Sequence, residues 1–256
     1  MSDIKEEANL ENVETNESEV VEETAEESAP KKLDPTLEGI QYFYESNKKI
    51  INYWGGGLAL VIGLFCTYTF YWLPGKEKEA SNEVFWAQMY FEKDSFNVAL
   101  KGGKLIRTAD GDKPMMGFEQ VADEYGITKT GSLAHYCAGI CHLRLGQFDL
   151  AIEQLQKYDG SDEMILPISI GAIGDANMEL NKIDEAIKYY LKAAEKRNNN
   201  FTTPIYLKKA GFAYELKNNF TEALNIYERI KKEFSKSTEA RDIDKSIAKV
   251  KTLGNL

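Results

Sequence analysis

Hydrophobic and polar positions follow three regimes along the chain. From Ile50 to Leu73 the sequence IINYWGGGLALVIGLFCTYTFYWL runs 24 residues without a charge. As a helix this is about 36 Å long, enough to cross a hydrocarbon core of about 30 Å. Tyr53 and Trp54 mark one end and Tyr71 and Trp72 the other, where amphipathic rings settle at headgroup level. Leu73-Pro74-Gly75 is read as the stop. A cleaved leader is rejected, because its charged segment would be nearly fifty residues long and its apolar core is too long as well.

Beyond Pro74 the pattern becomes helical and repeats itself. Four segments place a small residue twelve positions before an alanine and a large apolar residue three before it: Ala87, Phe96, Ala99; Gly139, Phe148, Ala151; Gly174, Ile183, Ala186; Gly211, Phe220, Ala223. The last three alanines are 35 and 37 residues apart, and Lys196 to Asn200 supplies the extra turn residues of the longer step. Physically, the small residue lies where two helices cross, the large one opens the second helix and packs back, and the alanine allows close approach. Pro167 and Pro204 stand at the starts of first helices, where a missing N–H costs nothing. Asp184 and Thr221 fall at favoured N-terminal positions of second helices.

The first pair departs from this pattern. Ala80 to Lys93 reads as its first helix, but Lys101 to Pro114 is polar and glycine-bearing before a further helix, Met115 to Tyr125. This is read as a split repeat with an inserted loop. Thr238 to Thr252 is amphipathic and highly charged, as suits a capping helix with one face in water.

The third regime is the N-terminus, and composition explains it. Met1 to Ser46 holds fourteen acidic residues and three lysines, so the net charge of −10 for the whole chain resides in this tail. With no aromatic residue before Tyr42 it cannot bury enough apolar surface to offset chain entropy, and it is expected to be disordered. Its acidity disfavours nucleic acid and anionic lipid; it is either a solvated spacer or a contact for a basic partner. Lys31, Lys32, Lys48 and Lys49 on this side outnumber Lys76 and Lys78 on the other, which places the N-terminus in the cytoplasm. The expected divisions are a tail at 1–46, a transmembrane helix with flanks at 47–75, and a split first repeat at 76–131. Repeats at 132–166, 167–203 and 204–237 and a cap at 238–256 complete the chain.

The segments LAHYCAGICHLRLGQFDLAIEQL (133–155), ISIGAIGDANMELNKIDEAIKYYLKAA (168–194) and IYLKKAGFAYELKNNFTEALNIYERI (205–230) resemble tetratricopeptide repeats (TPRs). The resemblance implies an all-α chain: one transmembrane helix followed by a right-handed TPR α-solenoid of about four helix pairs. It also implies a concave surface formed by the first, or A, helices, carrying Leu133, Tyr136, Ile140 and Leu143, then Ile168, Gly171, Asp175 and Met178, then Ile205, Lys208, Phe212 and Glu215. Tyr136, Ile140, Leu143, Met178, Ile205, Lys208 and Phe212 are the candidate partner groove, although the same residues could serve only to pack neighbouring helices. The Lys/Asn/Arg set with which some TPR domains hold a chaperone's terminal carboxylate does not map onto these positions. In layout the chain is similar to the YfgM-type ancillary subunits of the Sec translocon. FWAQMYFEKDSFNVALKG (85–102) and the segment 117–155 resemble membrane-anchored TPR proteins of the Bacteroidota. The long acidic tail departs from the YfgM-type layout.

Catalytic and metal chemistry find no support. His135 and His142 share one helix with Cys137 and Cys141, but they spread around it, and one helix rarely closes a tetrahedral zinc shell. No phosphate loop or nucleophile motif is present, and no cofactor, metal or enzymatic activity is expected. Gly55, Ala59 and Gly63 recur every fourth residue, either as a packing face for another transmembrane helix or as the glycine common in such helices. The expected function is a non-catalytic protein-binding scaffold tethered in the bacterial inner membrane, its TPR domain periplasmic. Its expected partners are translocon subunits, secreted chains or chaperones. An assembly factor for another envelope complex and a homo-oligomeric organiser of the membrane are the alternatives.

Overall fold

A computed structural model describes residues 35–108 and 111–256, so the expectation of disorder for residues 1–34 lies outside the described residues. The chain divides into two compact units, the first ending at Leu60 and the second comprising Val61–Leu256. Helix α1 (Pro35–Thr67) begins in the first unit. Residues 35–46, read from sequence as the end of the disordered tail, are therefore helical. Pro35 suits a first helical turn, and Leu37, Ile40 and Tyr44 extend the apolar spacing backwards from Ile50 at little further cost in nucleation.

Leu73-Pro74-Gly75 does not stop the helix as the sequence suggested. A π-helical turn (Tyr68–Trp72) leads directly into α2 (Leu73–Glu92). Thr67 Oγ1 donates to the Gly63 carbonyl at 2.9 Å just before that turn. The wider turn lies where the Pro74 ring would otherwise meet the carbonyl four residues earlier, so the proline is absorbed. A single helical run, Leu37–Glu92, results, and none of its most apolar stretch is buried.

The expectation of an all-α chain is also corrected. α3 (Phe96–Lys101) is followed by an antiparallel hairpin, β1 (Gly102–Thr108) and β2 (Gly111–Met116), and then α4 (Phe118–Tyr125). The stretch taken as a loop alternates: Ile106 and Met115 are buried while Leu105 faces out. Glycines at both ends make this possible. Gly102, at φ +70°, ends α3, and a Cβ there would lie 2.4 Å from the Gly117 nitrogen. Helices α3 and α4 both pack on α2, so the hairpin interrupts the second helix of the first pair.

The remaining helices pair in order: α5 (Lys129–Arg144) with α6 (Phe148–Lys157), α7 (Ile165–Glu179) with α8 (Ile183–Lys196), and α9 (Thr202–Leu216) with α10 (Phe220–Glu233). The spacing read from sequence has a direct physical basis. Ala99, Ala151, Ala186 and Ala223 are fully buried. A Cβ at Gly139, Gly174 or Gly211 would come within 2.6 Å of Leu155, Tyr190 or Tyr227 on the paired helix. The region read as one capping helix is a 3-10 turn (Glu239–Asp242) leading into α11 (Ile243–Gly254), which covers α10 through Ile243 and Val250.

The first pair is tied to the second partly through the start of α5. Glu77 of α2 accepts the backbone N–H groups of Lys129 (2.8 Å) and Thr130 (3.1 Å), both at the start of α5. Thr128 caps α5 by accepting from Gly131 N–H at 2.9 Å, while its hydroxyl donates to the Tyr125 carbonyl at 2.7 Å. These bonds satisfy first-turn donors that a helix leaves unpaired.

Candidate functional site: a groove between α7, α9 and α11

Three helices that follow the same position in successive pairs enclose a groove of about 840 Å3. Met178 on α7 and Ile205 and Phe212 on α9 give it an apolar lining, and Phe212 is 53% exposed although it lies on a packed helix. Lys208, Lys209 and Lys249 bring positive charge to the same walls, with Asp175 and Glu215 among the acidic partners.

Those charges are organised in two copies of one arrangement. In the first, Tyr190 Oη donates to Asp175 Oδ1 at 2.7 Å, and Lys209 Nζ lies 2.7 and 2.8 Å from the two Asp175 oxygens. The Lys209 ammonium also sits 5.6 Å from the centre of the Tyr190 ring and 5.7 Å from that of Tyr206, within cation–π range. In the second, Tyr227 Oη donates to Glu215 Oε1 at 2.6 Å, and Lys249 Nζ pairs with Glu215 Oε2 at 2.5 Å. Each lysine follows its carboxylate by 34 residues; the two tyrosines are one 37-residue repeat apart, whereas the two carboxylates are 40 apart, which puts Glu215 about one helical turn farther along α9 than Asp175 lies along α7.

Burial pushes the Tyr190 phenol well above its ordinary range, and Asp175 adds to the effect; burial does the same at Tyr227, helped by Glu215. Both phenols remain hydrogen-bond donors throughout the neutral range. Two of the groove's lysines thus have their charge met by carboxylates of this same chain, and such pairs are costly to break where partly desolvated. What remains for a visitor is chiefly apolar surface.

The residues singled out from sequence fall into separate places. Met178, Ile205, Lys208 and Phe212 come together in the groove. Tyr136 and Ile140 are half-buried against Leu155, Ala172 and Ile173, and Leu143 is half-buried on α5 away from the groove. Gly55, Ala59 and Gly63 are exposed, and a Cβ at either glycine would meet nothing within 4 Å. Sequence reading passed over Tyr190, Tyr227 and Lys249. The signals that could have found them are the 37-residue spacing of the tyrosines, equal to the repeat step, and the 34-residue carboxylate-to-lysine step.

The histidine and cysteine cluster is part of the packing. His135 hydrogen-bonds to Gln154, and His142, 1% exposed, bonds to Glu119 and Gln147. Burial pushes the Cys137 and Cys141 thiols up to about 12, which leaves them protonated and poorly nucleophilic at neutral pH. Among the described residues, no three His, Cys, Asp or Glu side chains are grouped to hold a metal ion.

Two family models, each described as a tetratricopeptide repeat, match residues 169–200 and 207–237, which are α7–α8 and α9–α10. The chain contains TPRs. The two matched repeats contribute α7 and α9 to the groove, so the groove is built largely from them. Among solved structures, this TPR chain is similar to an array of nearly identical TPR-like repeats from a Podosopora anserina protein named for kinesin light chain. The TM-score is 0.51 at 12% identity, over 70% of this chain and 88% of that one. A singly substituted form of that array matches with a TM-score of 0.50 over the same shares and at the same identity. At this identity the likeness is one of fold. No curated protein gives a significant match. TPR modules are typically non-catalytic, and no catalytic family was found for the chain.

Proposed function

We propose that this TPR protein is a membrane-tethered, non-catalytic scaffold whose groove between α7, α9 and α11 takes an apolar segment of a protein partner. The observation that carries the proposal is the groove itself: an exposed Phe212 beside Met178 and Ile205, with the neighbouring lysines Lys209 and Lys249 paired internally. A site built to hold a terminal carboxylate would keep several cations available, whereas two of the three lysines on these walls are already paired. Helix-lined apolar grooves suit amphipathic or hydrophobic segments, and flexible Met178 suits variable ones.

The tether is the uncharged stretch from Ile50 to Leu73, fully helical and unburied. In the proposed setting it crosses a bacterial inner membrane with the N-terminus cytoplasmic and the TPR domain periplasmic. The layout shared with YfgM-type proteins makes translocon subunits, secreted chains or chaperones the proposed partners. Chemical crosslinking in intact membranes, followed by identification of the attached proteins, tests this. Enrichment of translocon subunits supports the specific reading, and their absence from the adducts removes it.

A further inference from the structure

The loops that join one helix pair to the next share a feature that the groove does not use. Ile127 lies two residues before α5, and Met164 and Phe201 lie immediately before α7 and α9, at two steps of 37 residues. Each is an exposed apolar side chain, at 57%, 39% and 60% respectively. The three loops are fastened side by side. Ser132 hydrogen-bonds to Asp159, Arg197 donates to the Ser161 carbonyl at 2.9 Å, and Arg197 also lies 3.6 Å from Glu163. They form one continuous edge of the solenoid.

That edge starts beside the exit of the apolar helix. Glu77, which holds the first turn of α5, comes five residues after Trp72 on the same helical run. This is about 7 Å along the axis, comparable with the headgroup layer of about 5–7 Å on each side of a bilayer. Ile127 lies two residues before Lys129, whose N–H Glu77 accepts. The edge mixes Lys129, Lys157 and Arg197 with Asp159, Asp162 and Glu163, so it carries no strong charge of either sign. The opposite edge is turned by polar or glycine residues in the left-handed conformation, Asp94, Gly146, Asn181 and Asn218. Leu145 and Leu216 are exposed there, at helix ends beside those turns.

We infer that the edge bearing Ile127, Met164 and Phe201 rests on the bilayer surface, its apolar side chains inserted among neutral lipid headgroups. This rests on the reading of Ile50–Leu73 as a membrane span. Single apolar side chains set at regular intervals in a mixed-charge edge match an uncharged, laterally continuous surface better than a discrete protein pocket. The contact would fix the height and orientation of the groove, since the loops are bonded to the helices that line it.

The test is photocrosslinking of the full chain in phosphatidylcholine vesicles that carry an alkyne-tagged lipid. A photoreactive phenylalanine analogue is placed singly at positions 127, 164 and 201, at 145 and 216 on the opposite edge, and at 62 within the span. Lipid adducts at 62, 127, 164 and 201, with at least five-fold less at 145 and 216, are expected. Adducts at 62 alone, equal yields at both edges, or protein rather than lipid adducts at 127, 164 and 201 overturn the inference and leave the span intact. Absence of an adduct at 62 overturns the span, and the inference with it.

Discussion

Gly131 sits in the first turn of α5, against the end of α4, and its replacement by alanine offers a sharp energetic test. A Cβ there would lie 1.9 Å from the Tyr125 carbonyl oxygen, 2.3 Å from its carbon and 2.7 Å from the Gly126 nitrogen. All three are backbone atoms, so no side chain can swing aside. Restoring ordinary contact requires the two helices to part by about 1.5 Å at this point. The same joint holds the Glu77 bonds to Lys129 and Thr130 and the Thr128 cap. Losing these four hydrogen bonds at about 1 kcal/mol each, against a helix-propensity gain of up to about 1 kcal/mol, gives a net loss of about 3 kcal/mol. In a unit of this size that lowers the thermal midpoint by about 6–12 °C. The assay is thermal unfolding of the full chain in detergent micelles, followed by near-UV circular dichroism. Gly75→Ala is the control, since a Cβ at this exposed helical glycine meets nothing within 4 Å; its midpoint stays level or rises. A Gly131→Ala midpoint at or above that of the unsubstituted protein would refute the close backbone approach.

Two further outcomes follow from the groove and the buried thiols. Tyr190→Phe removes the hydroxyl that donates to Asp175 and lowers stability by about 1 kcal/mol. A double-mutant cycle with Lys209→Met shows coupling between the two groups, and strict additivity would count against the shared carboxylate. The Cys137 and Cys141 thiols, raised to about 12 from an ordinary 9.0, hold their protons longer in the folded than in the unfolded chain. Stability from this source is therefore complete below pH 9 and is lost as pH rises towards 12, by at most about 4 kcal/mol per thiol. Urea midpoints of the Cys137→Ala/Cys141→Ala variant decline less across that window than those of the unsubstituted chain; equal declines would contradict the burial.

Much of the helical architecture was legible because it depends on volume. Gly174 and Gly211 read as small residues for the same reason that Tyr190 and Tyr227 need space beside them. What escaped were features set by longer-range packing or by one unusual turn. Pro74 reads locally as a stop, yet the π turn at Tyr68–Trp72 absorbs it. The hairpin went unseen because its alternation is short and its strand Gly111–Met116 contains Pro114 at an edge, a residue that ordinarily argues against a strand. Half of the groove was visible as the apolar positions of α7 and α9. Its ion pairs were not, since Asp175 with Lys209 and Glu215 with Lys249 join different helices, and charges on helix faces ordinarily signify only solvated exterior.

The central claim is that the groove binds protein from a membrane-tethered position. The most direct measurement is site-specific photocrosslinking in intact membranes, comparing position 212 in the groove with position 188, an exposed site on α8 outside it. A discrete set of protein adducts from 212, absent from 188 and lost when Met178→Glu and Ile205→Glu are introduced, is the expected result. Equal adduct patterns from the two positions, or no protein adduct from 212, would contradict the claim.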